Sequence, residues 1–137
     1  MSGELDFYRG SCLCGAVSYE FTGQFERFFL CHCSRCRKGS GSAHASNMFF
    51  SGVSFRWLSG EDLVGKFTVE GARHTRTFCI KCGSGLPQLQ PEGRVKVPAG
   101  SIDSPVAERP QAHIWTSSRA DWDDHLEDVP SVAERPA

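Results

Sequence analysis

Seven cysteines in three tight groups constrain this chain more than any other feature. They stand at positions 12 and 14, at 31, 33 and 36, and at 79 and 82. The opening residues, MSGELDFYRG, carry neither a basic stretch nor an apolar run of the secretory kind. A reducing compartment, the cytoplasm, is therefore expected, and clustered thiols there point to metal or catalytic roles rather than disulfides. An odd number of cysteines would also leave one over from any fully paired framework.

Spacing sharpens this reading. Two thiolates of a C-x-C on one extended strand share a face and can meet one ion, and C-x-x-C across a tight turn does the same. Gly83 directly after Cys82 suits the turn of a zinc knuckle. A ligand set made only of thiolates selects zinc or iron–sulfur among common metals. Four thiolates close a structural zinc site, whereas three leave a position open. Seven divides as four plus three, although the sequence alone does not say which four belong together; the run Cys31-His32-Cys33-Ser34-Arg35-Cys36 can supply three ligands alone, and on that reading Cys12, Cys14, Cys79 and Cys82 make the closed set. The rival partition has one site and spare buried thiols. A thioredoxin-type redox role for Cys79 and Cys82 lacks the surrounding βαβ pattern.

With 137 residues and 15.1 kDa, one domain spanning 1–137 is expected, with flexible ends at about 1–8 and 124–137. Fourteen glycines, seven prolines and fifteen aromatics suit a turn-rich β fold. Strands are expected at Ala16–Phe21, Arg27–Cys31, Ala43–Phe50, Val53–Leu58, Val64–Val69, Arg73–Cys79, Gly85–Gln90 and Arg94–Pro98. Ser51-Gly52 reads as a two-residue hairpin turn, Pro91-Glu92-Gly93 as another, and Ser59–Leu63 as a single helical turn. No long amphipathic helix is expected. The fold class is mainly β, with antiparallel sheets packed face to face.

Composition also excludes. A net charge of −1 argues against a nucleic-acid partner. The longest apolar run, Phe28–Cys31, is far short of the ~20 residues a membrane span needs. From Asp121 to Ala137, six acids face one base, which reads as a solvated tail; a lid or dimer contact anchored by Trp115 and Trp122 is the alternative. Ile114 and Trp115 are expected to pack on the sheets. His32, between two cysteines, points away from their shared face and reads as packed rather than as a ligand. His113 is expected to be structural, while His44 and His74 are candidate proton donors.

The segments Gly10–Val17, Cys31–Lys38 and Phe78–Ser84, with the closing phrase Pro110–Trp122, resemble the glutathione-dependent formaldehyde-activating enzyme family, which includes centromere protein V. The resemblance covers residues 10 to about 130. It implies a tent-like fold of packed antiparallel sheets with a zinc-ribbon element and two zinc ions per chain. Cys12, Cys14, Cys79 and Cys82 would hold the structural ion, and Cys31, Cys33 and Cys36 the catalytic one. The activity implied is that of a carbon–sulfur lyase, adding glutathione to formaldehyde to give S-hydroxymethylglutathione. Its partners would be a small thiol and a small aldehyde.

On this reading, Arg35, Arg37 and Lys38 offset the thiolate charge or bind a glutathione carboxylate. Ser40, within Gly39-Ser40-Gly41, either receives substrate or belongs to a plain turn. The competing function is a non-catalytic, zinc-stabilised protein-binding module. Metal storage fits less well, since seven thiols fill two small sites and leave none for a cluster.

Overall fold

The computed structural model describes residues 5–135. Three strands carry most of the architecture: β1 (Asp6–Ser11), β2 (Ser18–Cys31) and β3 (Ala45–Ser59). Between the last two lies α1 (Ser34–Ser40). After a 3-10 turn at Glu61–Leu63 come β4 (Val64–Thr68), β5 (Thr75–Cys79), β6 (Gln88–Gln90), β7 (Arg94–Pro98) and β8 (Ala112–Ile114). The main sheet runs β1-β2-β3-β7-β6 with antiparallel pairing throughout, and β4 and β5 form a separate antiparallel ribbon. One parallel contact completes the sheet: β8 lies along the end of β2, with Cys31 opposite Ile114. The fold is thus mainly β, as expected.

The expected strands Ala16–Phe21 and Arg27–Cys31 merge into the single strand β2, which starts at Ser18, and no hairpin forms at Ser51-Gly52. Gly52 instead sits inside β3 at φ +58, where the register with β2 slips between Thr22 and Gln24. A left-handed residue here makes a bulge, and pairing resumes on either side (Thr22 with Ser54, Phe25 with Phe50). A turn signal alone cannot distinguish a bulge from a chain reversal, because both need the same backbone conformation. The hairpin of β6 and β7 and the helical turn at Glu61–Leu63 form as expected.

Apolar alternation along these strands builds one aromatic core from Tyr8, Tyr19, Phe21, Phe28, Met48, Phe50, Val95 and Val97. A smaller cluster of Cys12, Val17, Cys79 and Leu86 lies beneath the ribbon. Trp57 packs against both, joining the ribbon to the main sheet. Of the ends expected to be flexible, residues 1–4 and 136–137 lie outside the described residues. Asp6–Tyr8 belong to β1, and Tyr8 donates its hydroxyl to Glu108 at 2.7 Å.

Candidate metal centre

The cysteines gather into two groups. The sulfurs of Cys12, Cys14, Cys79 and Cys82 all lie within 4.8 Å of one another, as do those of Cys31, Cys33 and Cys36. All seven are free thiols. Four sulfurs around a tetrahedral zinc with bonds of ~2.3 Å stand about 3.8 Å apart. Observed separations of 3.6 Å for Cys12 to Cys14 and 3.9 Å for Cys14 to Cys79 fit that requirement.

Two turns present the group of four. In the first, the Gly15 N–H donates to the Cys12 carbonyl, and the Val17 N–H donates to the Cys12 sulfur at 3.3 Å. In the second, the Gly83 N–H donates to the Cys79 carbonyl at 2.7 Å. Ser84 ties the two together: its Oγ accepts from the Leu13 N–H at 2.9 Å and lies 3.2 Å from the Cys82 sulfur. The Ser84 hydroxyl and N–H bring the Cys82 thiol down to about 5. The Ala16 N–H pulls Cys14 down as well, but desolvation and the neighbouring thiols override it and push it up to about 11.

The group of three depends on α1, the helix the sequence reading missed. Cys31 ends β2, Cys33 caps the helix, and Cys36 lies in its first turn, so that the last two meet on one face. The Cys36 N–H donates to the Cys33 sulfur at 3.4 Å. Desolvation raises Cys31 and Cys36, whereas for Cys33 the Cys36 N–H and the other two thiols outweigh it. Gly39-Ser40-Gly41 is the end of this helix rather than a plain turn. Gly41 takes the left-handed cap position and donates to Arg37 O at 2.8 Å. Ser40 donates back to Cys36 O at 2.7 Å.

The closing segment wraps around this group. The His32 N–H donates to Ile114 O, and Arg37 Nε donates to Ser118 O at 3.2 Å. The His32 ring is buried, with Nε2 2.8 Å from His113 Nδ1 and Nδ1 2.8 Å from Asp123 Oδ2. His32 is thus packed rather than coordinating, as expected. Two expectations for the closing segment need correction. Trp115 is 64% exposed at φ +58 instead of packing on the sheet, while Asp123, within the tail read as solvated, is buried. Neither fact has a local sequence signal, because each depends on the path of the segment over the β2–α1 loop.

Between the two cysteine groups lies a cavity of about 790 Å³ whose lining includes Cys12 and Cys36. Arg35 and Ser40 line it, together with His44 and His74, whereas Arg37 and Lys38 do not belong to its lining. Arg76 and Lys96 also line it and were missed; Asp103 is the one carboxylate among the described lining residues. Burial lowers His44, helped by the charges of His32 and His113, and lowers His74, helped by Lys96 and Arg35. Lys96 is lowered by burial and pushed back by the charges of the three clustered cysteines. The strand pattern held a usable signal for Lys96: it alternates with core-facing Val95 and Val97, which puts it on the opposite face.

Residues 7–118 match the family model of the glutathione-dependent formaldehyde-activating enzymes. The chain belongs to that family. An uncharacterized lyase of Schizosaccharomyces pombe is 32% identical over 79 residues, covering 58% of this chain. The match spans 55% of the yeast protein's length. The crystal structure of a Rhodobacter sphaeroides protein shares the fold, with a TM-score of 0.56 at 19% identity, covering 77% of this chain and 98% of the other. The spacing of both cysteine groups is compatible with a metal ion.

Proposed function

We propose that this family member is a zinc-dependent carbon–sulfur lyase that adds a glutathione-like thiol to formaldehyde or a related small aldehyde. The product with glutathione would be S-hydroxymethylglutathione. Cys12, Cys14, Cys79 and Cys82 would hold a structural zinc, and Cys31, Cys33 and Cys36 a catalytic one. The observation that carries the reading is a group of three convergent thiols, one short of a closed tetrahedral set, beside a cavity of about 790 Å³. Free thiols and a reducing compartment go together, so the cytoplasm is part of the proposal. A nucleic-acid partner is not, because the chain carries no basic excess.

Zinc bound by the three cysteines would offer a fourth position to an incoming thiol and hold it deprotonated. A free thiol of pKa ~8.5 is only a few per cent thiolate at neutral pH. Complete deprotonation raises the reactive fraction about thirtyfold, worth about 2 kcal/mol. Lower basicity of the sulfur takes part of that back. The chain's own residues supply the rest. Arg35 and Arg76 offer guanidinium groups to substrate carboxylates, and the cavity wall holds the aldehyde beside the sulfur. Ser40 shapes the wall through its bond to Cys36 O rather than by reaching for substrate.

Cobalt titration of the metal-free protein, followed by glutathione, tests this. Two tetrahedral thiolate equivalents, one shifting its spectrum with millimolar glutathione or less, are expected. One equivalent, or two that ignore small thiols, would replace this reading with that of a zinc-stabilised binding module.

A further inference from the structure

Lys96 stands out among the cations of the cavity. It lies in the middle of β7, half-buried, with the core residues Val95 and Val97 on either side, so its own side chain leaves on the cavity face. Among the described residues no carboxylate lies within ion-pair distance of it, although five other pairs are formed. A half-buried ammonium with no carboxylate partner costs stability. Lys96 and Cys36 line the same cavity, so the ammonium shares that space with the three-thiol group.

The other cationic side chains of the cavity are less suited to the same task. Arg76 donates to Gly83 O at 3.1 Å and stands over the Phe78 ring, 5.5 Å from its centroid. Arg35 is exposed on the first turn of α1. His44 and His74 are held toward their neutral forms by burial and neighbouring charge.

We infer that Lys96 is a catalytic residue of the proposed thiol–aldehyde reaction, the cation that receives the carbonyl oxygen as charge develops on it. The inference rests on the function proposed above. In the step, the thiol has given its proton to solvent, and a sulfur lone pair forms the C–S bond to the carbonyl carbon. The π pair of C=O withdraws onto oxygen, and the alkoxide is held by the Lys96 ammonium until it takes a proton from water. The sum is one thiol plus one aldehyde giving one hydroxyalkyl thioether, with no oxidant or reductant required. A donor aimed at developing oxyanion charge in a partly dehydrated site acts on the transition state more than on the bound substrates.

The experiment compares the zinc-loaded wild type with Lys96→Met and Lys96→Arg, reading exchange between 13C-formaldehyde and its glutathione adduct by NMR above the uncatalysed background. Metal content is measured alongside, and glutathione affinity is read on cobalt-loaded samples. Lys96→Met is expected to lower kcat by about 10²–10³ with metal content and thiol affinity unchanged, and Lys96→Arg to recover most of the loss. Met matches the length and apolar stem of Lys, and the cobalt spectrum reports an intact fold. A Lys96→Met rate within threefold of an active wild type overturns the inference alone. Loss of metal would make Lys96 a counter-ion of the thiolates, and loss of thiol affinity at constant kcat a carboxylate anchor; either also overturns it. A wild type that does not exceed background overturns the proposed function and this inference with it.

Discussion

Nδ1 of His32 and Oδ2 of Asp123 face each other at 2.8 Å, both buried, and neither atom has another polar partner among the described residues. This contact fastens the closing segment to the loop that carries Cys31, Cys33 and Cys36. On the other side of the ring, Nε2 meets His113 Nδ1 at 2.8 Å, so the imidazole is held at both nitrogens.

Asp123→Ala is therefore expected to strand a buried imidazole nitrogen and destabilise the fold by about 1–3 kcal/mol. Asp123→Asn, which retains an oxygen acceptor, should lose less. Urea unfolding of the zinc-loaded proteins measures both, and equal stability of all three would show that the contact contributes nothing.

The two cysteine groups should separate under mutation. Cys36→Ser is expected to bind one metal equivalent fewer and keep its circular dichroism, because the removed thiol belongs to the open set of three. Cys79→Ser takes a buried member from the core cluster beneath the ribbon, and is expected to lose structure as well as metal. Metal analysis and circular dichroism on the same samples decide the matter; identical behaviour would contradict two distinct sites.

Stability should fall in mild acid. Burial first, then neighbouring charge, lowers His44 and His74 below 6.5 in the folded state. The unfolded chain therefore binds more protons as pH drops, so this contribution is present above about pH 6.5 and is lost as pH falls through the folded values. The stability difference between wild type and His74→Gln is expected to shift in favour of the variant as pH goes from 7.5 to 5.5. Thermal melts with metal content checked at each pH provide the measurement, and a pH-independent difference would refute the assignment.

The bulge at Gly52 predicts a conformational effect with no packing contribution. A Cβ there would meet no atom of the described residues within 4 Å, yet φ is +58. Gly52→Ala should cost about 1 kcal/mol from backbone strain alone, and Gly52→Asn less, since Asn tolerates the left-handed region. Chemical denaturation of the pair measures the difference; a stabilised Ala variant would mean the strand had straightened.

Much of this molecule was legible in its amino-acid order. Cysteines separated by one or two residues are brought within a few ångströms by the local chain itself, so the donor type and the close pairs could be read from spacing, whereas the meeting of Cys12 and Cys14 with Cys79 and Cys82 is a contact across the fold. Alternating apolar residues gave the mainly β class and the hairpin of β6 and β7, because both depend on neighbours in sequence. What could not be read depends on contacts made across the fold. The turn signal at Gly52 became a bulge because β2 runs past it on both sides. Arg76 and Lys96 share a cavity with Cys36 only because the ribbon and β7 are carried there by strand pairing. Asp123 left the acidic tail for the interior because the closing segment passes over the buried His32. Covalent spacing set the close cysteine pairs; burial and strand pairing, which act between residues far apart in the chain, decided how they gather and what surrounds them.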